Sequence, residues 1–497
     1  MPIDSIASSS HTRPVMRLLG ALLGGFALAM LVPLAASLVL HEGLWPQYLA
    51  SMLLCLAVGL GVFLRLRHDR RELQPSHGIL LVAAVWLVLP LFAAVPFMLV
   101  SARLESLDIS FTHAYFEAVS GLTTTGSTVL SGLDALPVSL NIWRTFMQWI
   151  GGMGILILAV AILPMLGVGG SQLFKAEIAG PVKDTRLTPR IAQTASGLWV
   201  VYVLMSLACF LAYWAGGMLP LDALMHMFTT VSLGGSSPHE ASFGYFESPL
   251  LELIAIFFMM VASCNFALYF VALRKRSLRG FWKDLEVRAT LATLVAGGLL
   301  AALILWLKGS YSVLDSLRFG IFNAISMATT TGYATTDFLL WPLFVPLLML
   351  LLSGFATSAG STGGGVKMVR VLILVQQGTR ELVQLVHPRA VKPVRLGQTI
   401  VENRIIFSVL AFILFYWLTI MVLGMALVLS DLDLITAFSA VIASLHCVGP
   451  GLGMVGPAST YADLNTFQTW VCTLAMLLGR LEILSFMALL LPSFWRR

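Results

Sequence analysis

Apolar residues in this chain fall in long continuous runs rather than alternating with polar ones. Runs at 15–39, 48–64, 78–100, 141–166, 191–217, 249–273, 287–307, 341–377, 405–429 and 467–491 each predict a helix. About 20 apolar residues are needed for a helix to cross a bilayer, whereas a spanning barrel strand shows about 10 residues of alternating polarity. The pattern therefore predicts about ten spans of roughly 20 residues each. Four shorter runs, 111–122, 221–230, 313–328 and 432–445, do not fit that scheme. Each leads into a polar or glycine-bearing stretch: Thr123-Thr124-Thr125-Gly126-Ser127, Val231-Ser232-Leu233-Gly234-Gly235, Thr329-Thr330-Thr331-Gly332-Tyr333 and His446-Cys447-Val448-Gly449-Pro450. The order long helix, short helix, loop, long helix thus occurs four times. Its loop glycines Gly126, Gly235, Gly332 and Gly449 lie roughly one hundred residues apart, the signature of internal repetition.

Composition fits a membrane protein. The 497 residues are 58% hydrophobic and 11% charged, and the mean hydropathy is +0.90. A soluble chain of this size carries more charge. The net charge of +6 is no nucleic-acid footprint, because the basic residues sit in short joints between units. These are Arg65 to Arg71, then Lys175, Lys183, Arg186 and Arg190, then Arg274 to Lys283, then Lys367, Arg370, Arg380, Arg389, Lys392 and Arg395, and finally Arg496 and Arg497. Acidic residues Glu105, Asp108, Asp134, Asp222, Glu240, Glu247, Asp315, Asp337, Asp431 and Asp463 flank the short helices instead. Lys/Arg excess marks the cytoplasmic side, so the joints and both termini are expected inside and the short-helix loops outside. Arg103, Arg144, Lys308 and Arg318 run against this trend. At the N-terminus, Ala35-Ala36-Ser37 offers a cleavage site, but the long run favours an uncleaved first helix. Cys55, Cys209, Cys264, Cys447 and Cys472 form neither a disulfide framework nor a zinc pattern.

Non-helical backbone at membrane depth is tolerated only where protein buries it or water lines it. Four such loops at equivalent places point to one shared cavity. A ring of backbone carbonyls can replace the hydration shell of a cation, and the carbonyl end of each short helix aims partial negative charge at it. Ordinary turns also use Thr and Gly, but would not recur in register. Two glycine-rich decoys fail. The stretch Ala359, Gly360, Ser361, Thr362, Gly363, Gly364, Gly365 is followed by Val366 and lacks the lysine of a phosphate loop. Gly451-Leu452-Gly453-Met454-Val455-Gly456 follows no strand of a βαβ unit. There is no catalytic constellation, and no cofactor motif.

Several stretches together are similar to the Trk/Ktr/HKT superfamily of potassium transporters, and most to its TrkH-type membrane subunit. They are Gln148-Trp149-Ile150-Gly151-Gly152-Met153-Gly154, ILPMLGVGG within 161–170, the loops above, the run from Ala359 to Gly365, Val448-Gly449-Pro450-Gly451-Leu452-Gly453, and Leu478-Gly479-Arg480-Leu481-Glu482. The resemblance implies an all-α polytopic fold with four pseudo-repeats around one pore and an extra N-terminal helix pair. The units would be 1–72 (helix pair), 73–174, 175–283, 284–395 and 396–497. It implies a potassium filter of Thr124, Thr125, Gly126, Leu233, Gly234, Gly235, Thr330, Thr331, Gly332, Cys447, Val448 and Gly449. It implies a gate made of Ala359 to Gly365 and Arg480, an arginine read as lying mid-helix, with pairing to a carboxylate on another helix as the structural alternative.

Glycine at all four filter positions favours potassium, since serine at the first accompanies sodium permeation in some members. Two positions depart from the family. Ser236 stands where an aromatic is usual, and His446-Cys447 where two asparagines are usual. His446 is expected as a neutral histidine hydrogen-bonded behind the filter, the alternative being a protonated one that repels cations. The resemblance further implies a homodimer, a cytosolic nucleotide-binding RCK regulator of the TrkA type, and a bacterial inner-membrane location. Basic residues from Lys367 to Arg404 are a candidate docking surface, although anionic lipid headgroups explain them equally. Passive flow and proton coupling both stay open, as do a sodium-permeable relative and, in another class, a membrane enzyme or respiratory subunit.

Overall fold

The computed structural model describes residues 5–68, 75–104, 107–157, 191–397, 399–481 and 483–495. Among them the chain is helical almost throughout. A two-residue antiparallel pair, β1 (Arg395–Leu396) with β2 (Thr399–Ile400), is its sheet. The N-terminal part comprises α1 (Ser5–Ala29), α2 (Leu31–Val39) and α3 (Trp45–Leu66). Close approach of α1 and α3 depends on glycine: a Cβ on Gly20 would meet the Gly59 carbonyl at 2.9 Å, and one on Gly59 the Gly24 nitrogen at 2.7 Å. Small residues at such crossings are how membrane helices pack without a hydrophobic driving force.

The repeats follow. The first has α4 (Pro75–Ala93), α5 (Val95–Ser101), the short α6 (Phe111–Leu122) and α7 (Val138–Ile157). The second has α8 (Ile191–Ala215), the short α9 (Pro220–Val231), α10 (Pro249–Ala262), α11 (Phe266–Lys275) and α12 (Arg279–Lys283). The third has α13 (Leu285–Leu307), the short α14 (Val313–Ala328), α15 (Phe344–Ser353) and α16 (Met368–Val386). The fourth has α17 (Asn403–Leu429), the short α18 (Leu434–His446), α19 (Thr466–Arg480) and α20 (Ile483–Leu490). Capping defines where the short helices start: Ser110, Ser312 and Asp433 accept from the amides of His113, Asp315 and Thr436, and α9 opens on Pro220.

The long helices are apolar all round, yet burial picks out one face. Along α17, Ile406, Val409, Phe412, Tyr416, Ile420, Leu423 and Leu427 are buried, while Phe407, Leu414, Trp417, Met421, Val422 and Met425 are exposed. The buried set follows helical spacing, and the exposed set is what a lipid-facing side requires. The interior has two main cores. One joins the N-terminal helices and the first repeat to the fourth, and the other joins the second repeat to the third.

Helix continuity differs from the sequence expectation in three of the long runs. Among the described residues six helices are long and apolar enough to cross a membrane, or eight if each bent pair is one span, and the run 141–166 continues beyond them after Ile157. The runs 249–273 and 467–491 are not single helices. The first bends by 89° between α10 and α11, and the second by 108° between α19 and α20. The run 341–377 is divided into α15 and α16 by an irregular segment. At the first break Asn265 caps α11, and the groups left open pair with that segment: Ser358 N–H donates to Ser263 O (2.9 Å) and Phe266 N–H to Gly360 O (3.0 Å). The joint 175–190, Arg70, Arg71, the ILPMLGVGG stretch and Glu482 lie outside the described residues.

Candidate functional site

All four short helices end alike. Thr124, Leu233, Thr330 and Cys447 adopt left-handed backbone, with φ of 55°, 55°, 62° and 56°. Each donates its amide three residues back: Thr124 to Gly121, Leu233 to Thr230, Thr330 to Met327 and Cys447 to Ser444. Each following amide reaches five residues back: Thr125 to Ser120, Gly234 to Thr229, Thr331 to Ser326 and Val448 to Ala443. This is the Schellman ending, normally capped by glycine. A non-glycine residue in that region costs about 1–2 kcal/mol, so four in register mark an imposed geometry. Two positions on, Gly126, Gly235, Gly332 and Gly449 again have positive φ (84°, 66°, 86° and 97°).

The loops close into a ring. A Cβ on Gly126 would strike the Gly234 carbonyl, one on Gly235 the Thr331 carbonyl, and one on Gly332 the Val448 carbonyl. One on Gly449 would meet the Thr125 carbonyl at 3.0 Å, returning to the first loop. Each glycine therefore faces the central residue of the next repeat's triplet, in cyclic order. Two of the twelve triplet carbonyls accept protein hydrogen bonds among the described residues. Gly234 O accepts from Gln148 Nε2 (3.0 Å), and Gly449 O from Ser127 Oγ (3.1 Å) and Tyr461 OH (2.9 Å). The other ten, on Thr124, Thr125, Gly126, Leu233, Gly235, Thr330, Thr331, Gly332, Cys447 and Val448, accept none there. Protein interiors rarely leave so many carbonyls unpaired without water or an ion to serve. Hydroxyls stiffen the first and third loops identically: Thr123 Oγ1 lies 2.7 Å from Thr125 Oγ1, and Thr329 Oγ1 2.8 Å from Thr331 Oγ1.

Beneath the ring lies the glycine-rich segment, its residues largely buried. Thr362 Oγ1 donates to Val231 O (3.1 Å) at the end of α9. Gly364 N–H donates to Thr330 Oγ1 (2.9 Å) in the third loop. A Cβ on Gly364 would strike the His446 carbonyl. Arg480 donates from Nη1 to Thr362 O (3.1 Å), and its Nε and Nη2 are buried without a partner. It is the last residue of α19, not mid-helix, because the helix breaks after it. Among the described residues it has no carboxylate partner, which removes the paired-arginine alternative there. One oxygen of buried Glu286, in the first turn of α13, accepts from both Ala359 N–H (2.7 Å) and Val369 N–H (3.2 Å). This single carboxylate therefore ties the first residue of the segment to the start of α16, which follows it.

Lys367 and Arg370 turn inward rather than joining a docking surface. Lys367 donates to Gly363 O, and Arg370 is buried with its guanidinium 4.0 Å above the Phe412 ring. Arg389, Lys392, Arg395 and Arg404 are exposed. His446 Nδ1 lies 2.8 Å from Ser353 Oγ, whose own hydrogen goes to Leu350 O (2.7 Å), and its ring stacks on Tyr416. The imidazole is thus hydrogen-bonded behind the fourth loop.

Two of the four contrary cations acquire carboxylate partners. Arg144 Nε donates to Glu117 on α6 at 2.7 Å, both side chains being at most 4% exposed. Arg318 on α14 makes a bidentate pair with Glu252 (2.8 and 2.7 Å). Glu117 also accepts from Thr128 and the Val129 amide, so it fixes the chain leaving the first loop. Arg144→Ala leaves that buried carboxylate short of its cation, and destabilisation of about 3–5 kcal/mol is expected. Thermal unfolding in detergent checks this, and an unchanged melting temperature contradicts it.

Beside the mouth of the second loop, His239 Nδ1 lies 2.7 Å from Asp134, and Nε2 faces Asp222 at 3.3 Å, close enough for ion pairing though not aligned as a hydrogen bond. Burial lowers the affinity of this imidazole for protons, but Asp222 and Asp134 outweigh it and raise its pKa above the ordinary value. The contact therefore stabilises fully below about pH 6.5 and is lost as pH rises through the elevated pKa. His239→Asn should flatten the fall of melting temperature over that interval. An identical pH profile in the variant would count against this contact.

Known proteins share this architecture. A family model described as cation transport protein, TrkH, matches residues 45–495. The chain belongs to the TrkH family. It is 43% identical to the Trk system potassium uptake protein TrkH of Vibrio parahaemolyticus over 487 residues, covering 97% of this chain and 99% of that one. It is 41% identical to the Escherichia coli K12 protein of the same name, covering 98% and 100%. The crystal structure of the potassium transporter TrkH from Vibrio parahaemolyticus superposes with a TM-score of 0.89 at 40% identity, over 97% of this chain and 99% of that chain. This TrkH-family chain is thus an all-α, multi-pass membrane protein of a transport family, not of an enzyme class.

The twelve triplet residues predicted from sequence come together in one ring, and Ala359 to Gly365 and Arg480 come together beneath it. Sequence reasoning missed Glu286, the inward contact of Lys367 and the Ser263–Asn265 break. Glu286 reads as an ordinary acid in a helix's first turn, and nothing local announces its distant partners.

Proposed function

We propose that this chain is the potassium-translocating subunit of a Trk-type uptake system in the bacterial inner membrane. The observation that carries this is the closed ring of four loops in which ten triplet carbonyls, on buried or half-buried residues, have no protein donor among the described residues. Such oxygens replace the water of an entering cation, and the C-terminal ends of α6, α9, α14 and α18 add partial negative charge at the same place. The filter is Thr124, Thr125, Gly126, Leu233, Gly234, Gly235, Thr330, Thr331, Gly332, Cys447, Val448 and Gly449. The five units 1–72, 73–174, 175–283, 284–395 and 396–497 are a helix pair and four quarters of the pore.

Below the filter, the segment from Ala359 to Gly365 and Arg480 act as the gate. The segment's bonds to Val231, Thr330 and Glu286 hold it across the path, and the arginine adds a positive barrier. Both termini are cytoplasmic, the functional form is a homodimer, and a cytosolic nucleotide-binding RCK subunit of the TrkA type moves the gate. The names and the structure of the relatives support this reading. The experiment is potassium-limited growth and rubidium uptake in cells stripped of their own uptake systems, with a suitable regulatory subunit supplied. Rescue is expected. No rescue, with the protein confirmed in the membrane, overturns the reading.

Glu286→Ala frees the start of the gate segment from the helix that follows it, and transport that persists without the regulatory subunit is expected. Uptake that stays fully dependent on the regulator removes Glu286 from the gate.

A further inference from the structure

Gln148 lies on α7, in the wall behind the ring, and its amide serves the second loop. Nε2 donates to Gly234 O (3.0 Å) and Ser236 Oγ (2.7 Å), and Oε1 accepts from Ser236 N–H (3.3 Å). Its counterpart in the fourth repeat can be read from two glycines. A Cβ on Gly151 would strike Leu122 O, and one on Gly479 would strike Leu445 O, each two residues before its repeat's left-handed residue. Gly151 thus matches Gly479, and Gln148 matches Met476, which is buried and apolar. The amide is a feature of one quarter.

The same amide explains why that quarter has glycine at its central position. Thr125, Thr331 and Val448 carry side chains there, whereas Gly234 has none. The three atoms nearest a Cβ built on Gly234 are Oε1, Cδ and Cγ of Gln148. Gly234 has no positive φ, so its backbone would accept another residue, and a side chain there would have to displace an amide held by three hydrogen bonds. Ser236, where the chain departs from the family, is held by both ends of that amide.

We propose that Gln148 is a specificity-determining positioning residue: its amide fills the missing side-chain place of the second loop and fixes the Gly234 carbonyl against the Cα of Gly126. The proposal rests on the ring being the ion filter. Three carbonyls of that level are free for a cation, and the fourth is shared with an amide donor. Ion discrimination then depends on this one hydrogen bond, because it sets where the fourth oxygen stands.

The test uses the full-length protein in proteoliposomes, with bi-ionic reversal potentials in potassium and sodium as the readout and potassium flux measured alongside. Gln148→Met, which installs the fourth repeat's residue, should raise relative sodium permeability about fivefold, the factor one net hydrogen bond supplies. Gly234→Ala should do the same in the native background and should be tolerated in the Gln148→Ala background, where its clash is gone. A purely structural role would change both fluxes in proportion and leave the ratio fixed, which overturns the proposal, as does Gly234→Ala behaving alike in both backgrounds. If Gln148→Met does not fold, Gly234→Ala alone decides, and an unshifted ratio overturns the proposal. Native protein without potassium preference instead refutes the filter reading itself.

Discussion

Gly332→Ala is expected to abolish most discrimination between potassium and sodium, and Gly449→Ala to do less. At Gly332 the added methyl faces two obstacles. The backbone stands at φ +86°, where an L side chain is strained by about 1–2 kcal/mol. Its Cβ also collides with the Val448 carbonyl and comes within 2.9 Å of Pro450 Cδ. Neither neighbour is the end of a flexible side chain, so the loop itself must shift. Because Val448 O belongs to the next quarter, the displacement reaches two of the four loops. A shift worth about 1.4 kcal/mol between the two ions changes their permeability ratio tenfold, and the loss at Gly332 should be at least roughly that. At Gly449 the nearest oxygen, Thr125 O, is 3.0 Å away, so a few tenths of an ångström of give relieves the contact. Gly126→Ser meets the Gly234 carbonyl and should resemble Gly332→Ala, with a gain in relative sodium permeation. Reversal potentials under bi-ionic conditions give this order directly. Selectivity unchanged from the native protein in all three variants would remove these glycines from the filter.

Arg480→Ala is expected to raise unstimulated potassium flux. The guanidinium makes one hydrogen bond, to Thr362 O, and keeps two buried nitrogens unpartnered among the described residues. A buried cation so poorly satisfied is a poor device for stability alone. For illustration, a unit charge roughly 8 Å from a passing cation, at an effective dielectric constant near 20, opposes it by about 2 kcal/mol. Its removal corresponds to roughly a 10–30-fold rise in flux. Loss of the Thr362 contact also frees the gate segment, acting in the same direction. Arg480→Lys keeps the charge and should stay near the native flux. Unchanged flux in a folded Arg480→Ala protein would leave the arginine a packing role only.

The register of the ring was legible because its signals are local. Mainly apolar runs of 12 and 16 residues, stopping at hydroxyls and glycine, define α6 and α14 to the residue. The helix breaks were not, because Ser263, Cys264 and Asn265 sit inside an apolar run. What stabilises that break is hydrogen bonding to Ser358 and Gly360 in another repeat, which no window of sequence displays. Arg480 was visible as an intramembrane charge, but its place at a helix end depended on the same kind of break. Gln148 and Glu286 fall between these cases: each is a polar residue in an apolar context, and its role becomes readable once the repeats are in contact. Arg144 and Arg318 looked like exceptions to the charge pattern because their carboxylates lie on other helices.

The most direct measurement is the anomalous scattering of crystals grown with rubidium in place of potassium. The account predicts rubidium density on the axis of the ring, between the carbonyls of Thr125, Gly234, Thr331 and Val448, displaced by excess potassium. Rubidium bound elsewhere, or density at the ring unaffected by potassium, would contradict it.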